Sequence, residues 1–435
     1  MPRQSIPVAE RRNARVAKIR EALRESLWFT PMLFVVAAII GAIITTNLEY
    51  EVARDRDFSA FFAVNADDAR AIVSTIATSM LTFMGVVFSI TLVALQVASG
   101  QYSPRVVRGF VRNRTTKITL GTFMATFVFS LLVLGTFQTS NADRTVFVPI
   151  LSVALAQLLV LATLFVFIAF VHSIVRAMRV TYVIDGIAEE TRKAIEENQV
   201  PRSEIVEIDP AHYTQPTHVI ALEGPPGVLD GVEADRMVAL ARSYDCVLRV
   251  LPKVGDYLAT GVSIIEVFGN DAPRWSEIRS CLVLGAERTL YQDIAYGFRQ
   301  LVDIAIRALS PAVNDPTTAA QVIDRLTDLL IRLARQNRRQ NAIVDRDGSV
   351  RLLFSIPSWS DLLDLAFDEI RVYGADSPQI PRRLLAALDD IEAVIADAPQ
   401  EPLNRHRDAV FAAAKRHSSG TLAGLALTPN RRGIG

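Results

Sequence analysis

Hydroxyl side chains recur along an apolar stretch that runs from residue 71 to 98. On a helix advancing ~100° per residue, Thr75, Thr78, Ser79, Thr82, Ser89 and Gln96 fall within an arc of about 100°, while Met80, Met84, Phe88 and Leu95 lie opposite. Thr91 alone is out of line. Such side chains do one of two things in an apolar setting. They let neighbouring helices approach closely and hydrogen-bond across the contact, or they line a water-filled path. The stripe is longer than one helix crossing requires, which keeps the second use open. Its lining residues would be Thr75, Ser79, Thr82, Ser89 and Gln96. A shorter stripe, Thr119, Thr122, Thr126 and Ser130, follows on the next apolar stretch.

A second constellation lies in "YQDIAYGFRQLVDIAIRALSPAVNDPTTA". Asp303 stands four residues from both Arg299 and Arg307, a spacing that brings the charges together on one side of a helix. With Asn314 they make a cytoplasmic polar cluster able to bind an ion or a signal. The alternative is a tightly specified helix-turn-helix: Ser310-Pro311 breaks the first helix, and Asp315 caps the next with Pro316 at its first position.

Other chemistry finds little footing. The sequence holds no P-loop, no GxGxxG after a strand, no HExxH and no GxSxG. "GPPG" at 224–227 is a turn, too short and proline-bound to cradle phosphate. The cysteines are Cys246 and Cys281, and the five histidines are scattered singly, so neither a disulfide framework nor a metal site follows. No catalytic residue, cofactor or metal is named, and an enzyme is not expected.

The elements that position these residues divide the chain in two. Half the residues are hydrophobic, and the mean hydropathy is +0.27. Four segments, about 27–47, 71–98, 118–137 and 147–175, meet the ~20-residue apolar length needed to span a bilayer. None carries Asp, Glu, Lys or Arg inside it, so proton-relay and coupling-ion signatures are missing and a passive path is favoured over a transporter. His172 near the end of the fourth is read as interfacial. The 46 basic and 46 acidic residues cancel, which gives a nucleic acid no obvious hold. Locally they are biased. Residues 1–27 carry seven Lys/Arg, and 99–118 carries Arg105, Arg108, Arg112, Arg114 and Lys117 without an acid. Residues 48–70 hold six acids against three arginines. The positive-inside rule then places both termini and the 99–118 loop in the cytoplasm. The basic N-terminus lacks a small-residue cleavage site, so no removable signal peptide is expected.

After Arg176 the chain becomes charged. Residues 181–198 read as an amphipathic helix continuing from the membrane. "THVIALEGPPGVLDGV", the helix "EADRMVALARSYD" and "CVLRVLPKVGDYLATGVSIIEVFG" (246–269) follow as strand-like text with one short helix. The last stretch resembles the hammerhead barrel of biotinyl and lipoyl carrier domains. Their modified lysine is not apparent, since Lys253 precedes the turn, so the expectation is a structural barrel. "NAIVDRDGSVRLLFS" reads as a hairpin turning at Asp347-Gly348, and helices at 360–373, 380–396 and 402–417 close the chain.

The fold class expected is an α-helical membrane protein. A four-helix transmembrane bundle precedes a cytoplasmic α+β region with a small β-barrel-like element and a helical C-terminal part. The domains are a basic cytoplasmic tail (1–26), the transmembrane domain (27–176), a cytoplasmic helix with a small β-rich domain (177–271), a mainly helical domain (272–417) and a flexible tail (418–435).

The run "GVVFSITLVALQVASGQYSPRVVRGF", together with "FRQLVDIAIRALSPAVNDPTTA", resembles a large bacterial family of predicted inner-membrane proteins catalogued as a domain of unknown function. The resemblance covers about residues 26 to 400. It implies a multi-pass protein of the bacterial plasma (inner) membrane with four spans and a cytoplasmic C-terminal region, and it brings no activity, ligand or site residue. Two functions stay open. One is an oligomeric, channel-like ion permeation protein, its second helix lining the path between subunits and its cytoplasmic region gating it. The other is a non-conducting, membrane-anchored sensor or scaffold that binds a partner through that region. The expected partners are the lipid bilayer, further copies of the chain and a small ion.

Overall fold

The computed structural model describes residues 26–55 (27 excepted), 66–101, 114–137, 149–197, 205–335 (209–211 excepted), 341–395, 400–417, 424 and 426–431. The chain divides into two compact units, the first ending at Arg179 and the second starting at Val180. The basic tail and most of the loops that carry the orientation reading lie outside the described residues.

Four helices make up the first unit: α1 (Phe29–Asp55), α2 (Ala66–Gln101), α3 (Arg114–Thr136) and α4 (Ile150–Ala177). Each is long and apolar enough to cross a membrane. They form where the charge-free runs lie. Pro31 falls in the first turn of α1, where it removes no intrahelical bond, and Pro149 stands immediately before α4. The third helix is the central one. Within the chain 56% of its apolar window is buried, against 17% in each of the other three.

On α2 the buried side chains Val73, Met80, Val87 and Ala94 recur every seven residues, the spacing of a seam between two helices inclined at about 20°. They pack with Leu120, Phe123, Phe170 and Ile174 at one end and with Ala42, Phe129, Val133 and Ala156 at the other. Apolar helices in lipid gain little from burial itself, so close fit and cross-helix hydrogen bonds carry the contact. Gly121 supplies such a fit. A Cβ there would stand 3.0 Å from Cγ of Phe34 on α1.

The second unit begins with α5 (Val180–Glu197), set off from α4 by a break at Met178 and Arg179. Two sheets follow. One has six strands in the order β1 (Ile205–Val206), β8 (Ala342–Val344), β9 (Val350–Phe354), β4 (Val247–Val250), β6 (Ser263–Phe268), β2 (His218–Ala221). The other has three: β5 (Tyr257–Leu258), β3 (Gly227–Val232), β7 (Leu282–Gly285). All pairings are antiparallel except β4 with β9. Helices α6 (Ala234–Ser243) and α7 (Trp275–Cys281) pack on this core through Met237, Ala241 and Ile278. Neither sheet closes on itself, so the small barrel-like element is unconfirmed. The 246–269 strands instead divide between the two sheets, and the hairpin at 342–354 extends the larger one.

The helical layer comprises α8 (Ile294–Ala308), α9 (Pro316–Ala334), α10 (Trp359–Tyr373), α11 (Gln379–Val394) and α12 (Gln400–His417). The apolar face of α8 is buried through Phe298, Leu301, Val302 and Ala305. Asp315 caps α9 by accepting from the Thr318 N–H (3.1 Å), with Pro316 first in the helix. Residues 424 and 426–431, within the segment expected as a flexible tail, include a docked stretch. Ala426 is buried, the Asn430 N–H donates to the Arg382 carbonyl (3.2 Å), and Arg431 pairs with Asp390 (2.7 Å).

Candidate functional site

The two hydroxyl stripes meet different surroundings. On α2, Thr75, Thr82, Ser89 and Gln96 are exposed and Ser79 is half-buried. The chain's own helices therefore leave this face uncovered. Thr75, Thr82, Ser89 and Gln96 also recur every seven residues, on the side of α2 away from the Val73–Ala94 seam. The threonines are not left with idle donors. Thr75 donates to the Ala71 carbonyl (2.7 Å), Thr78 to Ser74 (3.0 Å) and Thr82 to Thr78 (3.2 Å). This back-bonding satisfies the hydroxyl proton within the helix and leaves the oxygen able to accept. Thr91, out of line with the stripe, does the same toward Val87 (2.7 Å).

On α3 the stripe is inside. Thr119, Thr122, Thr126 and Ser130 are all buried. Thr126 back-bonds to Thr122 (2.8 Å) and meets the Thr163 hydroxyl of α4 at 3.1 Å. Ser130 Oγ is buried with no hydrogen-bond partner among the described residues.

A carboxylate that the sequence reading passed over closes one end of the bundle. Glu49 of α1 accepts from the backbone N–H groups of Leu151 and Ser152 (3.0 Å for the latter) and from the Ser152 hydroxyl (2.6 Å). It thus caps the free amides at the start of α4, where the helix dipole also favours an anion. Its position two residues past an apolar run gave no hint of a partner about 100 residues away.

The polar cluster of the second unit draws in an acid from another helix. Arg299 Nε donates to Asp303 (2.6 Å), and its two Nη groups reach Glu369 on α10, Nη2 at 3.0 Å. Hydrogen bonds from Arg299 hold the Glu369 carboxyl below the usual range, and the two acids raise the guanidinium further. Arg307 is exposed. Asn314 is exposed as well and serves through its backbone: with φ +47° it turns the chain, and its N–H donates to the Ser310 carbonyl (2.8 Å). The structure therefore joins Arg299 and Asp303 to Glu369, and sets Asn314 in the turn.

Two further buried knots went unseen in the sequence. Asp293 caps α8 by accepting from the Tyr296 N–H (3.0 Å) and pairs with Arg288 (2.7 Å). Burial raises its carboxyl, Arg288 opposing. The turn at Gly255 (φ +98°) lies against this pair, so any side chain there would strike the Asp293 carboxylate. The other knot is His406 on α12, whose Nε2 lies 2.8 Å from Asp364 of α10. Its only hint in the sequence was Asp364 and Asp368 four apart on one helix. Burial pushes the Cys246 thiol up to about 11 and raises Cys281, so neither is an activated nucleophile. Among the described residues, no group of three or more His, Cys, Asp or Glu could hold a metal ion.

The family described as "Predicted membrane protein (DUF2254)" matches residues 24–390. The chain belongs to this family. Uncharacterized proteins of Mycobacterium tuberculosis and Mycobacterium bovis are each 29% identical to it over 390 residues, covering 86% of this chain and 73% of theirs. No solved structure matches it.

Proposed function

Proceeding from that membership, we propose that the protein is a multi-pass protein of the bacterial inner membrane. Copies of it assemble around an ion path lined by α2, with both termini and the second unit in the cytoplasm, where that unit gates the path. The observation that carries this reading is the exposed row Thr75, Thr82, Ser89 and Gln96, four residues spaced seven apart. Lipid does not favour a polar row along the whole length of a span. A seven-residue recurrence is also what one helix presents to another across a left-handed crossing. The Val73–Ala94 seam already serves the chain's own helices, so the second row is left for another copy. Four helices whose centre is filled by α3 leave no room for a path inside one chain. A closed ring of copies supplies it between them.

The back-bonded threonines favour a second reading. Because Thr75 and Thr82 satisfy their own protons, the row can pack dry against another copy, and the protein is then a non-conducting scaffold whose second unit binds a partner. Neither reading assigns a catalytic step.

Reversal potentials of the purified full chain in planar bilayers under a salt gradient separate the two. The path reading expects wild-type current, its loss in Thr82→Leu, because apolar constrictions gate by dewetting, and a cation preference in Thr82→Asp. No wild-type current across the pH, tension and voltage range, with copies crosslinking tightly through cysteines placed at Thr82, would leave the scaffold.

A further inference from the structure

We propose that His406 is a proton-operated latch that fastens the C-terminal helix α12 to α10, holding when the ring carries two protons and loosening when it carries one. This rests on contacts within the second unit and is independent of the permeation reading.

The ring is 2% exposed and sits between two carboxylates one helical turn apart on α10. Its Nε2 lies 2.8 Å from Asp364 Oδ1, its Nδ1 lies 3.9 Å from Asp368 Oδ1, and the Phe367 ring between those acids meets it edge-on, centroids 6.2 Å apart. Nδ1 is buried with no hydrogen-bond partner among the described residues.

A neutral imidazole has one N–H and one lone pair. The short contact to Asp364 requires the proton on Nε2, which points the Nδ1 lone pair toward the Asp368 carboxylate. The other tautomer is worse, since it sets a lone pair against Asp364 at 2.8 Å. Only the doubly protonated ring, taking its second proton from solvent, gives each nitrogen an acceptor. A small rotamer change of Asp368, whose side chain is 49% exposed, would close the 3.9 Å gap.

Among the described residues, the acids of α10 and α11 near α12 are also engaged by arginines. Arg405 on α12 shares Asp364 (2.5 Å), and Arg371 on α10 holds Asp368 (3.1 Å). From α11, Asp389 (2.8 Å) and Glu392 (2.5 Å) are both engaged by Arg407. The two acids nearest the ring are thus matched by two arginines, and the histidine proton is the variable charge. Histidine is the side chain that changes charge between about pH 5 and 8. The latch is expected to hold at the acid end of that range and to release as pH rises.

Hydrogen–deuterium exchange of the full chain in detergent tests this, with protection of 400–417 measured relative to α8 and corrected for intrinsic rates. Between pH 8 and pH 5.5 the wild type should gain about tenfold in relative protection, the worth of one charge-assisted hydrogen bond. His406→Gln should show no such gain, and Asp368→Asn, a partly exposed site that should not disturb folding, should lose most of it. Equal protection at both pH values in wild type overturns the latch. So does a gain that persists undiminished in Asp368→Asn, which also serves if His406→Gln does not fold.

Discussion

The hydroxyl rows of α2 and α3 use the same residue types on neighbouring helices, yet one lies on the outside of the first unit and the other at its centre. Thr126 meets Thr163 across a buried contact, whereas Thr82 is exposed and, among the described residues, bonds within its own helix. The same division recurs in the second unit. Arg299 and Arg307 flank Asp303 symmetrically in the sequence, but Arg299 is half-buried and also reaches Glu369 of α10, while Arg307 is exposed. Local chemistry and spacing place a residue on a face. What covers that face is decided by elements far away in the chain. Position relative to the central helix therefore determines whether a polar row acts as glue or as surface.

The largest effect that would sharpen this contrast is expected at Gly121. Gly121→Leu drives a branched side chain into Phe34, and overpacking of this kind costs about 1–3 kcal/mol. Thermal unfolding of the detergent-solubilised chain should register it as a clear loss. Gly85→Leu, on the uncovered face of α2 where a Cβ would meet nothing within 4 Å, should leave the melting of the single chain nearly unchanged. If both variants melt alike, α3 is not the central helix and the contrast between the rows collapses.

Next comes the arginine pair. Arg299→Ala should cost about 2 kcal/mol, since it strips the partly buried Asp303 of its short hydrogen bond and removes the tie to α10. Arg307→Ala should cost under ~1 kcal/mol, as exposed charges do. The pH dependence carries a sign. Glu369 is depressed by Arg299, so its stabilisation is full above the ordinary glutamate value of about 4.3 and is lost as pH falls through the folded value. Denaturant unfolding across that acid range should show a shallower decline in Arg299→Ala than in wild type. An unchanged acid limb would mean that the pair is solvated.

These outcomes also mark what could be read from residues alone. The four spans were legible because each is a charge-free run of bilayer length. The Asp315-Pro316 cap and the Asp347-Gly348 turn were legible because their signals are local: a side chain bonding an amide three residues on, and a residue free to take φ +79°. The helix face of α8 followed from its period. The parallel pairing of β4 with β9 was not legible, because it joins strands about 100 residues apart whose patterns name no partner. Glu49 and Glu369 escaped for the same reason: each looks like an ordinary surface acid until a distant backbone amide or arginine is brought to it. The candidate row on α2 was visible as a row, while its exposure was not.

The smallest effect decides what the rows are for. Thr126→Val keeps the volume and β-branching of threonine and deletes the hydroxyl that faces Thr163, so it should destabilise the chain by about 0.6 kcal/mol, the typical worth of one hydrogen bond between membrane helices. Thr82→Val deletes an exposed hydroxyl that, among the described residues, bonds within its own helix, and it should leave the melting of the single chain unmoved. Assembly gives the second readout, through crosslinking yield or the mass of the complex in nanodiscs. Where the α2 row faces a hydrated path, Thr82→Val leaves assembly intact and lowers conductance. Where the row is a dry contact between copies, the same variant shifts the equilibrium between monomer and oligomer and there is no conductance to lower. A single methyl-for-hydroxyl exchange on each row, read by melting, assembly and current together, thus tells a row that holds helices from a row that holds water.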